Sequence, residues 1–202
     1  MENKYSLFIF IVKVLFLFLF FLAIYYYCSP FLLLFTAKLV DFILNAQFGQ
    51  FISSVTLINK ELEVVTLFSV DANLKGQLAF NLNPLKYSYG LPLFFALSFS
   101  QYHFSNSDLL IDKLLKCLLA YLVISLAQVW GITFDIIRHL LFEFNGVYAA
   151  HFNFSSMQIM LVSFGSQLGF LLLPSLTPIL LWIYLENKAF KKLIDNKPSY
   201  YI

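Results

Sequence analysis

The side chains able to do chemistry are few and widely spaced. Cys28 and Cys117 are the two thiols, and Arg138, His139, Glu143 and His151 form the one stretch where basic, acidic and imidazole groups fall close together. A thiol enzyme needs its thiolate beside a histidine or another base. Cys117 and Arg138 lie in one apolar stretch about 20 residues apart, roughly 30 Å along a straight helix, so they cannot share a site. Cys28 could still meet Arg138, His139 or His151, which leaves a Cys28-based transpeptidase or protease as an alternative. An ionisable group near a membrane face is a functional candidate. The plainer reading of Arg138, His139, Glu143 and His151 is an outer polar cluster that anchors the chain at an interface, with an Arg138–Glu143 pair. Two cysteines in different hydrophobic stretches make no metal site or disulfide framework. Paired carboxylates, a phosphate-cradling glycine loop and metal-ligand spacing are likewise missing from the sequence. No catalytic residue, cofactor or metal is therefore expected.

The elements that carry these residues are overwhelmingly apolar. The chain has 202 residues, 60% of them hydrophobic and 12% charged, with a mean hydropathy of +0.80. A soluble domain carries about 25% charge. Phenylalanine accounts for 25 residues, and 12 tyrosines and 2 tryptophans add to it. A globule of this length cannot hide so many apolar side chains from water, so lipid is the expected solvent. The net charge of +2 and the single arginine give no nucleic-acid face.

Four transmembrane helices are expected, with a small extracytoplasmic β-meander inserted between the first and second. The first span is Leu7–Tyr27, long enough for a hydrocarbon core of roughly 30 Å. Residues 1–30 are thus an uncleaved N-terminal anchor, since the apolar run exceeds that of a signal peptide and Cys28-Ser29-Pro30 is a poor cleavage site. Pro30 separates the span from Phe31–Leu44, which carries Lys38 and Asp41. That segment is either an interfacial helix or a continuation of the first helix. Between Ser53 and Asn83 apolar and polar residues alternate in three stretches, the pattern of strands. Turns are expected at Asn59-Lys60-Glu61 and Asp71-Ala72-Asn73. Open sheet edges cannot face lipid, so residues 31–86 form an insert outside the bilayer.

Residues 87–185 supply three more spans, at Tyr87–His103, Leu114–Ile137 and Met157–Leu185, the last kinked by Pro174 and Pro178. Gly165 and Gly169 make a small-xxx-small pair for close helix packing, a weak sign of a dimer. The polar tail, residues 186–202, holds Lys188, Lys191, Lys192 and Lys197. Basic residues close to span ends place both termini in the cytoplasm. A transporter component is the least supported reading, because the ionisable groups Lys13, Lys116 and Asp135 sit near span ends, whereas transport sites need polar groups at the midplane.

The most distinctive stretch is Asn83-Pro84-Leu85-Lys86-Tyr87-Ser88-Tyr89-Gly90-Leu91-Pro92-Leu93. Pro84 ends strand pairing, Tyr87 and Tyr89 suit a headgroup layer, and Gly90 and Pro92 suit the entry to a helix. A structural elbow is favoured over a ligand site. A second stretch runs from Gln167 through Pro174 and Pro178 to Trp182. Together the two stretches resemble the exosortase H-associated membrane proteins of Gram-negative bacteria. The layout agrees over most of the chain, although abundant Phe and Lys and scarce Arg depart from that pattern. The resemblance implies a multi-pass inner-membrane protein that accompanies an exosortase, a cysteine transpeptidase-like enzyme acting on exported proteins with a C-terminal sorting helix. It implies an accessory and not the enzyme. Partner contacts would fall on Asn83, Pro84, Tyr87, Tyr89, Gly90, Pro92, Pro174, Pro178 and Trp182, with membrane lipid around the spans.

Overall fold

A computed structural model describes residues 2–71, 74–100, 108–142, 154–187 and 190–191. Helix α1 spans Glu2–Phe48, followed by strands β1 (Ile52–Ile58), β2 (Glu61–Asp71) and β3 (Leu74–Leu82). A short 3-10 turn at Pro84–Tyr87 leads into α2 (Gly90–Ser100), and α3 covers Asp108–Phe142. Helix α4 (Ser156–Gln167), a π turn (Leu168–Leu172) and α5 (Leu173–Leu185) complete the described chain.

Three helical stretches are long and apolar enough to cross a membrane: Phe8–Phe48, Ile111–Phe142 and Ser156–Leu185. Helix α2 is apolar, but its 11 residues reach only about 16 Å. The helix of the second expected span starts at Gly90, three residues after Tyr87, and residues 101–107, where its end was expected, lie outside the described ones. The protein is mostly helical, with one small antiparallel sheet.

Helix α1 is 47 residues long, about 70 Å, and runs unbroken through Pro30. The continuation is what forms, in place of a separate interfacial helix over Phe31–Leu44. Pro30 removes one backbone bond, to the carbonyl of Tyr26, a loss that apolar helices tolerate. The extended half is held by packing. Ala37, Val40 and Leu44 fall on one helical face and are buried among Ile52, Val55, Leu62, Val64 and Leu82 of the sheet.

The chain forms two compact units. The first comprises Met1–Tyr26, Tyr89–Ile124 and Ser175–Ile202, the second Tyr27–Ser88 and Ser125–Pro174. The second unit contains the sheet, ordered β1-β2-β3. The β1–β2 hairpin turns at Asn59 (φ 48°) and Lys60 (φ 73°), with Ile58 opposite Glu61. Two successive positive φ angles are what a two-residue hairpin needs to match strand twist. Thr56, Glu63 and Asn81 stand side by side across the three strands. Their apolar neighbours Val55, Leu62, Val64 and Leu82 face α1 and the α3 residues Ile132, Ile136 and Leu140. The helix also closes the β1 edge, because Asp41 accepts the Val55 N–H at 2.7 Å and is held by Asn45 at 2.8 Å. A buried bond from Thr36 to Gln128, 3.2 Å, joins α1 to α3 within this unit.

In the first unit, Phe21 of α1 packs against Phe95 and Phe99 of α2 at 5.6 and 5.5 Å. Phe10 stacks on Trp182 of α5 at 6.1 Å. Glu186, just past α5, gathers Lys113 and Lys116 of α3 at 3.4 and 3.5 Å. Lys113 also donates to the Ser98 carbonyl of α2 at 2.7 Å.

Candidate functional site

The elbow between β3 and α2 is built by its own side chains. Asn83 accepts the Leu85 N–H at 2.9 Å and so caps the 3-10 turn, with Pro84 first in the turn, where its missing N–H is harmless. Ser88 closes the turn by donating its hydroxyl to the Pro84 carbonyl at 2.9 Å. This fixes Lys86 so that its side chain reaches Asp135 of α3, and Tyr87 so that its ring lies against α3.

Asp135 is the centre of the most concentrated polar cluster described. Its side chain is only 3% exposed, and Lys86 Nζ lies 2.7 Å from Oδ2. Arg138 Nε lies 3.1 Å from Oδ1, one helical turn on. Ser166 Oγ of α4 donates to the same carboxylate at 3.3 Å. His139 Nε2 stands 3.7 Å from Oδ2, beyond hydrogen-bond range, and its ring packs 5.7 Å from that of Phe80. A carboxylate offers about four acceptor sites. Lys86, Arg138 and Ser166 take three of them. Asp135 is therefore a clamp that ties the elbow and α4 to α3.

Small residues bring the clamp's elements together. The Tyr87 ring lies against Gly131, where an added Cβ would come within 2.8 Å of it. Gly131 in turn abuts Gly169, and a Cβ at Gly165 would meet the Phe134 ring at 2.5 Å. The Gly165/Gly169 pair thus packs against α3 of the same chain. Gly169 sits in the π turn, in which the Leu173 N–H bonds the Leu168 carbonyl five residues back. That turn directly precedes Pro174, and π turns are a recognised way for a helix to absorb an irregularity.

The expected site residues divide between the two units. Asn83, Pro84, Tyr87 and Pro174 lie in the second, as do Arg138 and His139. Tyr89, Gly90, Pro92, Pro178 and Trp182 lie in the first. There Gly90 and Pro92 are buried in the first turn of α2, and Trp182 packs between Phe10 and Phe190. Glu143 and His151 fall outside the described residues. Cys28 is exposed on α1, and Cys117 is half-buried on α3. From the sequence Asp135 is only an ionisable group near a span end and Lys86 only a member of the elbow stretch, while Ser166 and Gly131 carry no signal. The available signal was Asp135-x-x-Arg138-His139, whose i, i+3, i+4 spacing puts all three on one helical face.

The elbow is built from the Asn83–Leu93 stretch, whereas Asp135, Arg138 and Ser166 of the clamp lie outside both stretches that carry the resemblance. The description "exosortase H-associated membrane protein" matches residues 5–189. The chain belongs to this family. The match takes in both units, the sheet, the elbow and the Gln167–Trp182 stretch of this exosortase H-associated protein. No curated protein and no solved structure matches the chain.

Proposed function

We propose that this protein is a non-enzymatic accessory of an exosortase-type protein-sorting system in the inner membrane of a Gram-negative bacterium. The observation that carries the reading is the family match over residues 5–189. The donors gathered on Asp135 add to it, since Lys86, Arg138 and Ser166 there tie the elbow and α4 to α3. The sheet and elbow are the parts that meet the exosortase or its substrates.

In this reading four segments cross the bilayer, with α2 as the core of the second. Contacts inside the first unit support that count. Lys113 near the start of α3, Ser98 near the end of α2 and Glu186 after α5 all meet. Phe10, near the start of α1, meets Trp182 near the end of α5. Ends that share one side require an even number of crossings. Lys113, Lys116 and Lys191 near these ends favour the cytoplasm for them. The polar row Thr56, Glu63 and Asn81 suits a sheet in water on the other side.

The test is deletion of the gene beside an intact exosortase, following a tagged substrate with a C-terminal sorting helix. Processing should fall, and the full-length protein should restore it. Processing at the undisturbed rate would sink the accessory role.

A further inference from the structure

Helix α1 is longer than a bilayer is thick. Its apolar stretch Phe8–Phe48 has 41 residues, about 60 Å, roughly twice the hydrocarbon core. The sheet marks which half lies outside. Pro30 and Leu34 line one groove with Leu57, Asn59 and Lys60 of the β1–β2 hairpin. Further on, Ala37, Val40 and Leu44 pack on the strands, and Asp41 accepts the Val55 N–H. From Pro30 to Leu44 the helix therefore runs beside the sheet, whose open edges lipid does not accommodate.

That half of α1 turns a second face outward. Phe31, Leu34 and Phe42 are 77%, 44% and 71% exposed, and Lys38 between them is exposed as well. Spacings of three, four and four residues put the four side chains on one stripe, about 16 Å long. Nearer the start of α1, exposed side chains such as Phe16 have lipid to cover them, but a stripe level with the sheet does not. Large apolar side chains exposed together outside lipid mark an interaction surface. Lys38 says what kind. Lys86, Lys113 and Lys116 each have a carboxylate partner, whereas among the described residues Lys38 has no ion pair or hydrogen bond. A lone cation in an apolar helix seam selects the partner that neutralises it. A second copy does not neutralise it. Copies share one orientation in the bilayer, so a two-fold pair would set stripe on stripe and Lys38 beside Lys38. A helix of another protein that leaves the same bilayer beside α1 would meet the stripe from Phe31 onward.

We propose that Phe31, Leu34, Lys38 and Phe42 form a docking face for a membrane-anchored helix of another protein, one that sets a carboxylate against Lys38. The proposal rests on the membrane reading above and adds to it a surface on α1 and the chemistry of the partner. The phenylalanines and Leu34 supply the apolar contact, and Lys38 supplies the selection.

The test places the photo-crosslinker p-benzoylphenylalanine at Phe31 or Phe42 of the full chain in its native membrane. Adducts should join these positions to a helix of another membrane protein, within a turn of an aspartate or glutamate. Lys38→Glu should lower their yield about tenfold, and changing that partner carboxylate to lysine should restore it. The crosslinker at Phe16, exposed within the first span, gives the lipid background. Thermal melts in detergent verify that Lys38→Glu keeps the fold. No adduct above that background, adducts to lipid alone, or adducts between copies of this chain would overturn the proposal. So would a protein adduct indifferent to Lys38→Glu. The accessory role is judged separately, by processing of the tagged substrate after gene deletion, whatever the crosslinks show.

Discussion

Asp135 and Glu186 each gather basic side chains from distant parts of the chain, one in each compact unit, but they are set differently. Asp135 is 3% exposed, and its nearest donors lie at 2.7 to 3.3 Å. Glu186 is 17% exposed, and Lys113, Lys116 and Ser98 stand 3.4 to 3.5 Å away. The lysines around Glu186 also have closer partners. Lys113 bonds the Ser98 carbonyl at 2.7 Å, and Lys116 pairs with Asp112 at 2.7 Å. The donors around Asp135 converge on one buried acceptor, whereas those around Glu186 divide among several. A converging set makes the acceptor indispensable, and a divided one makes it replaceable.

The comparison is tested most severely at Asp135. Asp135→Ala would take from Lys86, Arg138 and Ser166 the buried carboxylate on which they converge. Breaking a buried charge pair from one side destabilises by about 3–5 kcal/mol. Denaturant unfolding in detergent should show a loss of that order, with proteolysis appearing in β3 and the elbow before the first unit opens. A change under about 1 kcal/mol would mean the donors find water instead and that convergence has no energetic weight.

Next in size comes the glycine contact that brings α4 to α3. Gly169→Ala sets a methyl against the Gly131 backbone, where no flexible side chain can yield. Overpacking of this kind destabilises by about 1–3 kcal/mol. Because Ser166 and Gly169 share one helical stretch, the substitution should also pull Ser166 from Asp135. A double-mutant cycle of Gly169→Ala with Ser166→Ala would then be non-additive. Strict additivity would uncouple the glycine contact from the clamp.

Much of this arrangement was legible before any coordinates, and the gaps have physical reasons. Period-two alternation found all three strands, and Asn59-Lys60 marked the hairpin, because both signals are local. Pro30 was ambiguous, since a proline disfavours a helix locally while the burial of Ala37, Val40 and Leu44 on the sheet is a tertiary contact. Helix α2 starts at Gly90 and not at Tyr87, because Pro84–Tyr87 close into a 3-10 turn that an apolar run does not announce. Gly165 and Gly169 announced close packing and gave a weak sign of a dimer, and the helix they meet is α3 of the same chain. Asp135 looked like a flanking charge. Its partners Lys86 and Ser166 lie 49 residues before and 31 residues after it, beyond the reach of any spacing rule.

The smallest effect belongs to Glu186. Glu186→Gln removes the charge and keeps a carbonyl that Lys113 and Ser98 can still reach. Lys113 retains the Ser98 carbonyl and Lys116 retains Asp112, so neither cation is stranded. Partly exposed pairs contribute about 0–1 kcal/mol, and the melting temperature in detergent should move little. Added salt should shrink the difference further, since exposed pairs are screened and buried ones far less. The same salt series on Asp135→Asn should leave its larger deficit almost unchanged. If Glu186→Gln proved as damaging and as insensitive to salt as Asp135→Asn, Glu186 would have to be counted as a second buried clamp. The contrast between converging and divided donors would then be a matter of geometry alone, without consequence for stability.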